Sequence, residues 1–233
     1  QMMMGYGGGA VTPASMTFIA GGTNNLTQDN TNTATPSFAS VSIGAAEATR
    51  RVVVVYHWRV TNAALTVNSA TIGGIAATIH THITNGPNAA KTNTGVAIFS
   101  ALVPTGTTTT VTVTLSAAAL SHAIGVYRSI NEISGTPHDT VTDNALSGNV
   151  LSGTIDVPAT GMLVAGACAN ATAGFTNAWA GVTEDYDTAH QEASGVSLTG
   201  GFASGLSLET NRTVSVTLTG TIARGALVAA SWG

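Results

Sequence analysis

The chain has 233 residues, of which only 8% are charged, with 7 Lys or Arg and 11 Asp or Glu. This balance provides no basic field for a phosphate backbone, so we expect no nucleic-acid partner. The uninterrupted apolar run 52–56 is far short of the ~20 residues that cross a bilayer, so we expect no membrane partner. A single cysteine, Cys168, excludes an intramolecular disulfide, and its small apolar neighbours predict a buried, inert thiol.

The first residues, 1–14, are rich in glycine and methionine. They have neither the positive start nor the apolar centre of a signal peptide. We predict an extended N-terminal arm that lies against a neighbouring subunit, with its own domain as the alternative. Flexible thioethers fill irregular gaps at interfaces. The candidate interface residues of the arm are Met2, Met3, Met4 and Tyr6.

The rest of the chain, 15–233, shows a period of two, in which apolar residues alternate with Thr or Ser, as at 111–115 and 214–219. Such alternation predicts strands with one face on a core and one toward water. The other predicted strands, in chain order, are 15–20, 37–43, 51–60, 66–72, 75–84, 95–103, 122–130, 151–157, 162–169, 178–183, 195–202 and 226–232.

Turn signals separate these strands. The pair Gly73-Gly74 between isoleucines predicts a hairpin, because two glycines can adopt the positive φ values of a type I′ turn. No stretch of a dozen residues has a capped helical apolar face. We therefore predict an all-β fold with a single antiparallel β-sandwich domain over 15–233. A jelly-roll-like strand order is favoured, and an immunoglobulin-like order stays open.

Two short clusters are weak candidates for metal ligands, although we predict no bound metal. His80 and His82 are spaced i, i+2 on a predicted strand, so both imidazoles would face the same side, but a third zinc ligand is missing nearby. Asp185 and Asp187 lie in the acidic cluster 184–187 and could offer oxygen ligands to calcium. The simpler interpretation is a histidine pair on a wet face and a solvated acidic loop.

No catalytic motif is present in the sequence. A nucleophile elbow, a phosphate-binding loop and a dinucleotide fingerprint are all missing. We therefore predict that the chain is not an enzyme and binds no cofactor. Arg50 and Arg51 precede the aliphatic strand 51–60. They are candidate interface residues that meet a partner's carboxylates, with an ordinary solvated strand end as the alternative.

The surface composition favours assembly. The chain has 38 Thr and 27 Gly but few charges. Scattered charge of both signs normally keeps protein surfaces apart, and short side chains lose little rotamer entropy when they are immobilised. A structural or interaction protein is therefore a better hypothesis than a diffusing enzyme.

The segments 40–44, 50–55, 70–78, 182–187 and 226–232 together resemble small β-sandwich virion structural proteins of tailed bacteriophages. The resemblance implies a non-enzymatic component on the surface of the extracellular virus particle. It would be a capsid decoration (cement) or head-spike protein, or a tail-associated one. The implied partners are further copies of the chain, with a trimer as one candidate state, and the major capsid protein or another virion protein.

The alternative function is a glycan- or receptor-binding β-sandwich module of a tail fibre or secreted adhesin. Trp58, Trp179 or Trp232 would then serve as binding platforms, although Trp232 lies in an apolar strand where burial is expected. Exposed aromatics beside 184–187 would favour this function. Buried aromatics together with intersubunit contacts of the Thr-rich faces would favour assembly.

Overall fold

The structure is a computed structural model, and it describes residues 14–19, 26–61, 63–85, 92–132, 134–171, 176–190 and 193–233. These residues form eighteen strands and no helix, and every strand pairing is antiparallel, which confirms the predicted all-β class. The first ten strands are β1 (Ser15–Ile19), β2 (Thr27–Asp29), β3 (Ser37–Ser42), β4 (Arg51–Thr61), β5 (Val67–Ile72), β6 (Ile75–Ala76), β7 (Thr78–Thr84), β8 (Thr92–Leu102), β9 (Thr108–Leu115) and β10 (Ser121–Ile130). The last eight are β11 (Asp139–Ala145), β12 (Val150–Val157), β13 (Gly161–Ala171), β14 (Asn177–Ala180), β15 (Thr183–His190), β16 (Ala193–Leu206), β17 (Glu209–Leu218) and β18 (Ile222–Trp232).

The strands form four sheets, two from each half of the chain. In the first half, inner sheet 1 has the order β1-β10-β4-β8-β7, with β2 also paired to β10, and outer sheet 1 has the order β3-β9-β5-β6. In the second half, inner sheet 2 has the order β11-β18-β13-β16-β15, and outer sheet 2 has the order β12-β17-β14. We call the two halves the first and the second sandwich.

The four sheets stack in layers, with the inner sheets packed on each other. Strand β4 shows why: Val52 and Val54 pack in the core toward outer sheet 1, whereas Val53 and Val55 pack in the core toward inner sheet 2. A strand that is buried on both faces needs an almost continuous apolar sequence. Strand β9, in an outer sheet, instead alternates Thr with buried Val111 and Val113.

The two sandwiches have the same topology. Apart from the short strands β2 and β6, each half contains eight strands, and each inner sheet has the order first-eighth-third-sixth-fifth. Each outer sheet contains the second, seventh and fourth strands in that order. This is a jelly-roll arrangement in which the fifth strand has joined the inner sheet. The sequence predicted one sandwich over 15–233, and the structure has two in tandem that share a core.

The inner sheets stack in reversed order. Strand β7 lies against β11 at one edge, and β1 lies against β16 near the other. Strand β1 corresponds to β11 in the shared topology, and β7 corresponds to β15. The reversed stacking is therefore the one that an approximate two-fold axis between the sandwiches would produce. Near the centre the sheets approach so closely that a Cβ on Gly166 would lie 2.2 Å from Cγ1 of Val55.

The two ends of the stack differ. At the linker end, residues 134–138 lead into β11 and lie near the last residues of β18, where the His138 amide donates to the Ser231 carbonyl. At the loop end, the Asn85 Nδ2 group of the first sandwich donates to the carbonyls of Ala145 and Gly225 of the second. The predicted N-terminal arm, except for residue 14, lies outside the described residues.

Candidate assembly surfaces

Outer sheet 1 presents an outward face without a charge. None of its strands, β3, β5, β6 and β9, contains Asp, Glu, Lys or Arg. We call this face the neutral face. Its outward side chains are short hydroxyls: Ser37, Ser69, Thr71, Thr110, Thr112 and Thr114.

The neutral face is ordered by the strand register. Thr112 pairs with Ser37 on one side and with Thr71 on the other, and the Oγ1 atoms of Thr71 and Thr112 are 2.6 Å apart. Hydroxyls that bond each other hold β-branched side chains in fixed positions on the pleated surface. At the edge of this face Ile75 is 42% exposed, which adds an apolar contact to the hydroxyl rows.

The corresponding face of outer sheet 2 is similar but carries charge. Thr213 and Thr217 project outward there because Val214 and Val216 are buried beneath them. Asp156 of β12 is on this face, in phase with the exposed residues 152 and 154. At the same end of the sheet Arg212, on the core-facing side with Val214, pairs with Glu209 at 2.8 Å and donates to the Gly181 carbonyl. A partner that covers this face therefore has to remove water from a carboxylate, whereas a partner that covers the neutral face does not.

The two candidate arginines have internal roles in the structure. Arg50 is fully buried, and its guanidinium donates to the carbonyls of Val103, Gly44 and Thr105 at 2.6–2.7 Å. The prediction that Arg50 is an interface residue is therefore corrected: it joins two turns of the first sandwich. Arg51 is half-buried and forms an ion pair with Glu132, so it holds the start of the connection between the sandwiches.

The prediction that both imidazoles of the histidine pair face one side is wrong. The register of β7 shifts between Ile79 and Thr81, so His80 occupies a β-bulge. The extra residue turns His80 toward inner sheet 2, where its ring contacts Trp232, and His82 pairs with Ala97, which packs on the opposite side.

Of the described side-chain pairs, His80 and Ser100 most resemble a catalytic pair. Its Nε2 lies 2.7 Å from the hydroxyl of Ser100. Burial, together with the charge of Arg51, lowers the pKa of His80 to about 4, so the ring is neutral at pH 7. Ser100 is fully buried, and a serine that no substrate can reach does not act as a nucleophile. The pair is a structural hydrogen bond of the inner core.

The acidic cluster is divided between different partners. A second bulge places Asp185 between the paired residues Glu184 and Tyr186. Asp187 accepts hydrogen bonds from the Asn177 amide and from Asn177 Nδ2 at 2.9 and 2.6 Å, whereas Asp185 lies close to Tyr127 of the first sandwich. The structure therefore does not direct both carboxylates at one calcium ion.

The three candidate tryptophans are not exposed platforms. Trp58 and Trp232 are fully buried, and Trp179 is half-buried between the sheets of the second sandwich, with its Nε1 donating to Thr199 at 2.7 Å. Tyr186, inside the acidic cluster, is only 3% exposed. Among the described residues, the glycan-binding alternative lacks the exposed aromatic surface that would favour it.

Buried polar pairs between the layers are features that the sequence did not indicate. His57 Nε2 lies 2.9 Å from the Tyr186 hydroxyl and links the two inner sheets, and Tyr56 and His122 pair at 2.6 Å on the opposite face of inner sheet 1. The Tyr186 ring fits only because Gly125 and Gly200 have no side chain: a Cβ there would lie 2.7 and 2.3 Å from it. Glycine inside a strand is the signal that could have indicated such a close approach.

A cleft lies at the linker end between the sandwiches. It consists of two adjoining cavities of about 460 and 360 Å³ that share Thr136, Pro137 and His138. The larger cavity is also lined by Pro158 and Gly233, and the smaller one by His80. No Phe, Tyr or Trp side chain and no cluster of carboxylates lines either cavity, so the cleft has neither a broad stacking platform nor a carboxylate pair for acid–base chemistry.

Comparisons with known proteins add no relatives. No protein-family model matches the chain, and neither the curated proteins nor the solved structures include a match. The described part of the chain contains no group of three or more His, Cys, Asp or Glu side chains that could hold a metal ion. A helix able to span a membrane is not found in the ranges that the structure describes. Of the other predicted interface residues, Met2, Met3, Met4 and Tyr6 lie outside those ranges.

Proposed function

We propose that the chain is a non-enzymatic structural protein on the surface of a bacteriophage particle, a capsid decoration or head-spike protein that docks on the shell and self-associates. The observation that carries this proposal is the neutral face, an exposed sheet surface rich in Ser and Thr side chains and without a charge. The tandem jelly-roll topology is compatible with the proposal, because jelly rolls are frequent in viral capsid domains.

The neutral face has a low cost of association. Ser and Thr lose little rotamer freedom on immobilisation, and no ion has to leave water when the face is covered. Three strands of six to eight residues, about 20–25 Å long and about 4.8 Å apart, together with the two-residue β6, give a patch of roughly 350 Å². A standard interface buries about 800 Å² per partner. A second surface is therefore required, and we assign that role to the N-terminal arm.

The experiment introduces one lysine by substitution at corresponding positions of the two outer sheets. The segments 110–115 (TVTVTL) and 213–218 (TVSVTL) occupy the corresponding strands β9 and β17, so Thr110 and Thr213 are equivalent exposed positions. Thr110→Lys places a charge on the neutral face and is expected to shift the chain from oligomer to monomer in sedimentation velocity. Thr213→Lys is the control and leaves the mass unchanged.

Two outcomes would contradict the proposal. Wild-type chain that sediments as a monomer has no self-association for the substitution to disrupt. Equal behaviour of the two lysine variants, with an oligomer in both, would mean that the neutral face is not the contact surface. Circular dichroism of each variant is the control for folding, because it distinguishes dissociation into monomers from unfolding of the chain.

A further inference from the structure

A row of polar side chains crosses inner sheet 1 near the loop end. Arg59 of β4 pairs with Ser121 of β10 on one side and with Thr94 of β8 on the other. Paired residues share a face of the sheet. That face is the one toward inner sheet 2, because Thr94 donates its hydroxyl to the Cys168 carbonyl there, at 3.0 Å.

A second arginine enters the same layer from inner sheet 2. Arg224 of β18 is on the face that Ala226 and Val228 share, both of which pack in the core between the inner sheets. Its side chain is only 6% exposed, and its Nη1 donates to the Ala223 carbonyl. Each sandwich thus contributes one guanidinium to the space between them.

The two arginines belong to the same section of the stack. Burial raises the pKa of Cys168, and the positive charge of Arg59 is close enough to offset part of that rise. Cys168 pairs with Ala226, and Arg224 follows two residues nearer the loop end, a distance of about 7 Å along a strand. Facing sheets are about 10 Å apart, and β18 lies over β8, the neighbour of β4, so the two guanidiniums can approach each other across the layer.

These donors are not neutralised by carboxylates of the described residues. The ion pairs found there involve Arg51 and Arg212, not Arg59 or Arg224. The Nε atoms of Arg59 and Arg224 and the hydroxyl of Ser121 are buried without a hydrogen-bond partner. Asp29 of β2 pairs with His122, whose side chain is on the opposite face of the sheet.

Both arginines therefore have a buried donor without an acceptor, and a buried polar group without a hydrogen-bond partner costs free energy. An oxyanion would accept their unused donors in charge-assisted, bidentate hydrogen bonds. We propose that Arg59, Arg224 and Ser121 form a binding site for a small oxyanion, either a phosphate or a carboxylate, at the loop end between the two inner sheets. Arg59 is only half-buried, so part of this residue is exposed to solvent.

The test is a titration of the whole chain with inorganic phosphate at constant ionic strength, followed by calorimetry and by thermal unfolding. Phosphate is expected to bind saturably and to raise the melting temperature. Arg59→Gln and Arg224→Gln are each expected to weaken binding about tenfold or more, because each removes charge-assisted hydrogen bonds. Arg128→Gln is the control, since this β10 arginine donates to the Ala45 carbonyl at the linker end and binding should persist.

A second arm identifies the source of the oxyanion. If acetate displaces phosphate, the site also accepts a carboxylate, such as one from a partner protein; if acetate does not compete, the site is specific for phosphate. Arg224→Lys keeps the positive charge but lacks the planar guanidinium. It replaces the glutamine variant if that variant does not fold, and it is expected to bind phosphate more weakly than wild type. The proposal is overturned if chloride alone raises the melting temperature equally, or if phosphate binds equally to all variants.

Discussion

At the scale of single residues, Arg50 shows how the structure uses one of its few charges. Three carbonyls from two turns converge on its guanidinium, so a fully buried cation is stabilised by backbone oxygens without a carboxylate. An arginine provides five donors in a fixed fork, which a lysine cannot replace. The sequence showed a positive residue before a strand, but it could not show that the two turns would meet around it.

Arg50→Ala is expected to lower the free energy of unfolding by about 2–4 kcal/mol, because it leaves three carbonyls without their donor. The measurement is chemical denaturation. Arg128→Ala is the matched control: this side chain makes one exposed hydrogen bond to a carbonyl, and its loss should cost less than about 1 kcal/mol. Equal losses for the two variants would show that the Arg50 contacts add nothing.

Asp185 has a titration that should be visible in stability. Burial is the main effect that raises the pKa of Asp185 to about 7. The Tyr127 hydroxyl acts in the opposite direction, and the negative charge of Glu184 adds a smaller rise. The folded chain therefore keeps a proton that the unfolded chain releases near pH 4, so this residue makes folding less favourable as pH rises from about 4 to 7. His80, with its pKa lowered to about 4, acts in the opposite direction over about pH 4 to 6.5.

Asp185→Asn separates the two effects because it removes the carboxylate and leaves His80 unchanged. The variant is expected to be more stable than wild type at pH 7 to 8 and equal to it near pH 4, where Asp185 is protonated in both states. Urea denaturation across this pH range is the measurement. A difference between the two proteins that does not depend on pH would contradict the assigned titration.

At the scale of elements, period-two patterns predicted most strands correctly, since alternation reports directly on which face is buried. The same pattern failed at His80, and the acidic cluster, which we predicted to be a solvated loop, lies on strand β15. At both sites a bulge inserts one residue and reverses the faces to which the neighbouring side chains point. Neither bulged strand contains a glycine or proline that would have indicated the bulge in the sequence. The candidate metal pairs were therefore assigned from spacing that the backbone does not follow.

The contact between the inner sheets depends on Gly166. Gly166→Ala would place a methyl group 2.2 Å from Val55 Cγ1, and we expect it to destabilise the fold by about 1–3 kcal/mol through overpacking. Denaturation of the single variants and of Val55→Ala/Gly166→Ala gives a double-mutant cycle. The alanine at Gly166 should cost less when Val55 is truncated. An unchanged cost in that background would mean that the sheets do not meet there.

At the scale of the whole molecule, little in the sequence indicates that two sandwiches follow each other. The clearest trace is the pair of segments 110–115 and 213–218, which differ only where Thr112 corresponds to Ser215. Alternation shows that a strand has one buried face, but not which sheet it covers, so one sandwich and two are indistinguishable by pattern. The continuous apolar run of β4 is explained only by the second layer.

The central claim is that this molecule works in contact with other copies of itself. It is tested most directly by sedimentation equilibrium of the unmodified whole chain across micromolar concentrations. We predict that the average mass rises with concentration from that of one chain, 23.2 kDa, toward a multiple of it, the mass of a closed oligomer. A constant mass of one chain throughout that range would contradict the claim.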